Sequence, residues 1–460
     1  MKFGFRSAKR FSRSVFFAGV FVALGAVVIS RAAGKMSSAP YGLNSRPPSK
    51  PYLQMPDNED GAIPRLLSQT GAFKDMAALV PDVALIPYDV IVPFWSDGAQ
   101  KLRFISVPDE KIRFAPTGEW VFPRGTVFVK TFELATNELN PNSLRLLETR
   151  LLVCDTNGDV YGVVYKWRAD DSDADLLATN LTEAIPIQTA TGVRTQMWYY
   201  PSRADCLTCH TANAHYVLGV KTRQLNRDFT YPSGVTDNEL RAWNHLGLFD
   251  TNLNEADLGK FPKLARLDDP SRSLADRARS YLDANCAQCH RPKGTVAYFD
   301  ARYDTPPTGQ NLIDGPVLID ERIDDNPRII KPNDLWRSIL FMRTDTTEAF
   351  KMPPLARNTI DQQGMNLLRQ WIESLPGPPV LPPPEISPGG GNYDQPVKVA
   401  LKSEPGANIR YTLDGTVPTT SDLLYRKPVH LTGPTILRAK AFAPGFTKSI
   451  TSQEIFIVSQ

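Results

Sequence analysis

Two short strings constrain this chain more than anything else in it: Cys206-Leu207-Thr208-Cys209-His210 and Cys286-Ala287-Gln288-Cys289-His290. A CxxC spacing sets two thiols one helical turn apart, and the adjoining histidine adds an imidazole. Covalent attachment of haem c needs this set: two thioethers to the porphyrin vinyl groups and a proximal nitrogen for the iron. The chain has 5 cysteines, and the two strings use all of them except Cys154. A thioredoxin-like CxxC would need a βαβ setting and would leave the repeated histidine unexplained. One structural zinc site would have to join knuckles about eighty residues apart. The expectation is two covalently bound haem c groups, attached by Cys206, Cys209, Cys286 and Cys289, with His210 and His290 on the irons. Cys154, inside an apolar run, is expected to be a buried and inert thiol.

The rest of the chain reads as several modules. Lys2, Arg6, Lys9, Arg10 and Arg13 precede an apolar run over residues 14–30, and Ser30-Arg31-Ala32 forms a small-x-small pattern. Residues 1–32 are therefore expected to be a signal peptide or a membrane anchor, and either places the remainder outside the cytoplasm. Residues 33–56 are Pro-rich and read as a linker. Residues 57–195 read as a mainly β domain, with strands expected at 127–132, 147–154 and 160–167. The last two flank Asp155-Thr156-Asn157-Gly158-Asp159, a hairpin turn. The same string is a poor calcium loop, because Val160 stands where an EF-hand needs glycine and no glutamate closes it.

Helical patterning takes over around the cysteines. Leu274, Ala278, Tyr281 and Leu282 share one helix face before the second motif. A helix is expected over residues 334–343, and Asp361 is placed to cap another with the stripe Met365, Leu368, Trp371, Ile372 and Leu375. The first haem region is set at 196–270 and the second at 271–375. A Pro-rich linker follows at 376–384, and 385–460 reads as a small β-sandwich. The net charge of +3 offers nothing to recognise nucleic acid.

Residues 278–375 resemble the class I cytochrome c fold. In that family a loop methionine, often followed by Pro-Pro, is the distal ligand, and the terminal helix packs on the CxxCH helix. Met352 in Lys351-Met352-Pro353-Pro354 matches that methionine, so the resemblance implies it as distal ligand of the second haem. Met342 competes, but it lies in an expected helix and suits packing. The first haem has no methionine between His210 and the second motif. His245 and Met197 are candidates, each with an ordinary packing or surface role as its alternative, and an open position is the third reading. His215 follows His210 too closely to reach around the same ring.

Trp198-Tyr199-Tyr200-Pro201-Ser202-Arg203, Val217-Leu218-Gly219, Gln224-Leu225-Asn226-Arg227, Phe94-Trp95-Ser96-Asp97-Gly98 and Glu148-Thr149-Arg150 together resemble a poorly characterised family of exported dihaem c-type cytochromes. The string from Ile409 to Thr419, with Tyr425 and residues 436–442, resembles the chitobiase/β-hexosaminidase C-terminal domain, an Ig-like sandwich. Two haem motifs on an exported chain lead to the expectation of electron transfer outside the cytoplasm, between a dehydrogenase or another cytochrome and a terminal acceptor. The alternatives are a dihaem peroxidase-like enzyme with an open distal site at the first haem, and a module that docks a partner or polysaccharide and delivers electrons. The expected fold class is multidomain: a mainly β N-terminal domain, a central mainly α cytochrome region, and an Ig-like β-sandwich.

Overall fold

Alternating apolar residues in VFVKTF and LETRLLVC set the first half of the molecule, because strands of period two bury one face against a core. In the computed structural model, which describes residues 40–296, 298–318 and 325–459, these runs become β3 and β4 of an antiparallel sheet. Its strands are β1 (Ile86–Pro87), β2 (Gln100–Ser106), β3 (Val127–Ala135), β4 (Leu144–Cys154), β5 (Val160–Trp167) and β6 (Ala174–Leu176), paired in chain order. The turn from β4 to β5 is the expected hairpin, with Asp155 Oδ1 accepting from the backbone N–H groups of Asn157 (2.8 Å) and Asp159 (2.9 Å). A second hairpin, β7 (Leu181–Thr189) and β8 (Gly192–Tyr200), delivers the chain to the first CxxCH string.

One face of the large sheet packs Phe104, Val127, Val129, Leu151, Val163 and Tyr165 into a core of its own. The other face contributes Ile105 and Phe128 to a second core. That core also holds Val217, Leu225, Trp243 and Leu258 from the segment after the first motif. The expected boundary near residue 195 thus divides a shared core. The linker expected at 33–56 is also integrated in its described part: Met55 is buried in the first core, and the Tyr41 ring stacks on His245. The leader expected at 1–32 lies outside the described residues.

The central helices are α1 (Arg203–Cys209), α2 (Glu239–His245), α3 (Leu274–Asn285), α4 (Ile339–Thr344) and α5 (Gln362–Ser374). As expected, Asp361 caps α5, its Oδ1 accepting from Gly364 N at 3.0 Å. The helix buries Met365, Leu368, Trp371 and Ile372, each side chain stabilising by about 1.5–3 kcal/mol. The helices α3 and α5 cross closely where Gly364 faces Tyr281; a Cβ there would come within 2.5 Å of the ring. The helix expected over 334–343 is shorter than anticipated. Asp334 turns back to accept from Arg337 N at 3.1 Å, and α4 begins only at Ile339. Much of the chain between these helices is turn and loop, and the molecule is mostly β.

Beyond the Pro-rich spacer, two sheets form a sandwich. One contains Glu385–Ser387, Val397–Lys402 and Val429–Leu431; the other contains Gly391–Tyr393, Asn408–Thr412, Leu423–Leu424, Thr435–Phe442 and Ser452–Val458. Val399, Leu401, Leu437, Ala439 and Phe456 fill the space between them. Among the described residues no helix is long and apolar enough to cross a membrane.

Candidate functional site

A capping box starts α1: Ser202 Oγ accepts from Asp205 N at 3.2 Å, and Asp205 Oδ2 accepts from Ser202 N at 2.8 Å. This pair fixes the start of a single helical stretch carrying Cys206 and Cys209, and the His210 N–H closes it on the Cys206 carbonyl at 3.0 Å. The second motif ends α3 in the same way, with the His290 N–H donating to the Cys286 carbonyl at 2.8 Å. In each string a backbone bond from histidine to the first cysteine groups the three side chains. All five cysteines are free.

The first motif lies directly on the large sheet. Gly162 of β5 has no side chain where Cys206 rests, and a Cβ there would come within 2.9 Å of both Cys206 Cβ and Sγ. Between the motif and the sheet opens a cleft whose interior and solvent-open mouth together come to about 1560 Å³. Cys206, Cys209 and His210 line it, facing Lys101, Arg103, Lys130 and Arg150. His210 Nδ1 lies 2.6 Å from the Tyr216 carbonyl, which leaves Nε2 as the nitrogen open to a metal. The Tyr216 hydroxyl in turn bonds Asp159 of the β4–β5 turn. Burial, then Lys130, pushes the His210 imidazole down to about 4, so the ring stays neutral, as ligation requires. Burial and the neighbouring Arg103 and Arg150 push the Lys130 amine down to about 7.

The second motif has a different setting. The His290 ring stacks on Phe299 with centroids 4.2 Å apart, and its Nδ1 is buried with no hydrogen-bond partner among the described residues. Such an orphan is costly unless a ligand or donor takes it up. Burial, then Arg343, pushes this imidazole down to about 4. Arg343 also ties in the loop bearing Met352: its carbonyl accepts from Met352 N at 2.7 Å, and its Nε donates to the Phe350 carbonyl at 2.9 Å. Met342, one residue before Arg343, is half-buried on α4.

The two motifs come together. The Cys209 and Cys289 thiols act on each other, Cys289 raising Cys209 and Cys209 lowering Cys289. Arg291, next after His290, donates to the Asn213 carbonyl at 3.3 Å and to Glu119 at 3.0 Å. Asp283 of α3 accepts from Arg223 at 2.8 Å and lies 3.2 Å from Lys221. Burial alone would raise the Asp283 carboxyl, but Lys221 and Arg223 hold it far below the carboxylate range. The Phe94–Gly98 string supplies another tie. Asp97 Oδ1 accepts from Asn358 N and Thr359 N, both at 2.8 Å, and Asn285 Oδ1 accepts from Trp95 N at 2.7 Å.

His245 and Met197 stand apart from this cleft. Helix α2 turns Leu240 and Trp243 into the core, so His245, two residues on from Trp243, faces solvent and stacks on Tyr41 at 3.6 Å. Met197 is exposed because its strand neighbours Gln196 and Trp198 point inward. His215 is likewise exposed. Cys154 is buried, and burial pushes its thiol up to about 12, the inert state expected. Sequence reasoning missed the four sheet cations of the cleft, Lys101, Arg103, Lys130 and Arg150; their signal was lysine and arginine at inward positions of apolar strands.

The chitobiase/beta-hexosaminidase C-terminal domain family matches residues 388–453, which covers most of the sandwich and none of the cysteine motifs. No curated protein matches the chain.

Proposed function

We propose that the chain is an exported electron carrier holding two covalent haem c groups. Cys206, Cys209 and His210 hold one, and Cys286, Cys289, His290 and Met352 hold the other. The observation that carries this reading is the meeting of the two CxxCH strings, thiol beside thiol at Cys209 and Cys289, with a neutral, buried imidazole in each. When bound, haem supplies one-electron chemistry and the protein tunes it through ligands, burial and nearby charge. The Tyr216 carbonyl orients His210, and Arg343 secures the loop of Met352. Lys221, Arg223, Arg291, Glu119 and Asp283 lock the two motif segments and the β domain at fixed spacing. The segment 271–375 is read as a class I-like cytochrome region on the packing of α3 against α5. Redox proteins such as a dehydrogenase or another cytochrome are the proposed partners, and the periplasm or another extracytoplasmic space the proposed location. The sandwich serves a structural role or makes weak polysaccharide contact.

One observation favours a second reading, a peroxidase-like enzyme. The first cleft has no methionine and no histidine besides His210 in its lining. Spectra of the reduced and oxidised protein, with carbon monoxide or peroxide added, separate the two. Low-spin haems inert to both reagents, with exciton splitting in Soret circular dichroism from close porphyrins, are expected. A high-spin haem that binds carbon monoxide would move the assignment to the enzyme.

A further inference from the structure

The register of the large sheet sets three cations side by side. Arg103 of β2 pairs with Lys130 of β3, and Lys130 pairs with Arg150 of β4. Lys101 lies on the same face one row away, where it pairs with Phe132. All four line the cleft of the first motif. Like charges directly opposite on a sheet destabilise it, and withdrawing cations from water without counter-charge costs more.

The protein answers only part of that cost. Glu148 holds Arg150 through two bonds of 2.6 and 3.0 Å. Asp89 pairs with Arg103 but is shared with Arg227 at 2.8 Å. Lys101 donates to the carbonyls of Phe94 (2.9 Å) and Ala99 (3.3 Å) and lies 5.7 Å from the Phe132 ring centroid, with no carboxylate partner among the described residues. Lys130 makes no hydrogen bond or ion pair with any described group, and its amine sits 5.9 Å from the Phe132 ring centroid. Among the described residues two cations are left without a carboxylate partner, facing a cleft.

The next row on the same face is Ile105, Phe128, Leu152 and Gly162. Cys206 rests on its Gly162 end. The sheet therefore presents an apolar row beneath the attachment cysteine and a cationic row beside it. A ligand anchored at Cys206 and carrying two acids on another edge would match both.

We propose that Lys101, Arg103, Lys130 and Arg150 seat the two propionate carboxylates of the porphyrin attached at Cys206 and Cys209. This rests on the two-haem reading. The row neutralises the acids and, by its positive charge, favours the reduced form of that haem.

The test uses the full chain matured with haem, as wild type and as Lys130→Met and Lys101→Met, with Lys130→Gln and Lys101→Gln as milder versions. Haem content, a potentiometric titration and the resonance Raman propionate-bending band are measured for each. The expected result is two haems throughout, a lower midpoint potential for the first haem only, and a shifted propionate band. Added succinate should leave the wild type unchanged. Two attached haems with potential and band unmoved in every variant would overturn the assignment. So would a saturable response of the wild type to succinate, because the row would then take an anion from solution. Wild-type protein without covalent haem would overturn the two-haem reading itself.

Discussion

Gly162 shows how a single position controls the first site. Its missing Cβ is the space that Cys206 occupies, so Gly162→Val must push the motif off the sheet or strain the strand, at about 1–3 kcal/mol. Haem stoichiometry checks this: the variant should lose haem at the first motif and keep it at the second. At the second motif, Met352→Ala should remove any charge-transfer band from methionine on iron and lower the midpoint potential of that haem, because His/Met ligation raises it. A band and potential like those of the wild type would reject Met352 as the ligand. Residues of this kind differ in how legible they are. The cysteines and adjoining histidines announce themselves by spacing, and Lys130 is visible as a cation inside VFVKTF. That Arg103 and Arg150 stand beside it is not legible, because strand register is a long-range property. His245 misled for a local reason: a histidine near the motifs in sequence lies on the outward face of its helix.

Among the elements, the strands over 127–135 and 160–167 and the capped helix α5 follow closely from alternation, turn residues and Asp361. The shortening of α4 does not, because it depends on Asp334 folding back onto Arg337. The described part of the segment before residue 57 carries Pro and little periodicity, yet it packs through Met55 and Tyr41, contacts formed with distant partners. The Phe94–Gly98 loop is the element whose role was least visible. Asp97 joins it to Asn358 and Thr359, just beyond the Met352 loop, through hydrogen bonds of 2.8 Å. Asp97→Ala should cost about 3 kcal/mol, since bonds to a charged acceptor each contribute roughly 1.5–3 kcal/mol. Urea unfolding measures that loss. The second haem's spectrum should become heterogeneous while the first stays unchanged.

At the scale of the molecule, the buried network of Lys221, Arg223, Arg291, Glu119 and Asp283 joins the β domain to both motif segments. The Asp283 and Glu119 carboxyls are depressed in the folded state. Their contribution to stability is therefore complete above the unfolded carboxylate values of about 4 and is lost as pH falls through the lower folded values. Unfolding midpoints in urea should drop between pH 6 and pH 3. Asp283→Asn should flatten that dependence while lowering stability at neutral pH by about 3–5 kcal/mol, since Lys221 and Arg223 lose their main counter-charge. A wild-type midpoint constant across this range would show that the network contributes nothing.

Covalent attachment at both motifs is most directly read by counting thiols. The chain is expressed with the machinery for c-type cytochrome maturation, denatured, reduced and alkylated, and its mass is determined. Attachment at Cys206, Cys209, Cys286 and Cys289 leaves Cys154 alone among the 5 cysteines. The expected mass carries two haems and one label; a haem-free chain with a label on every cysteine would contradict it.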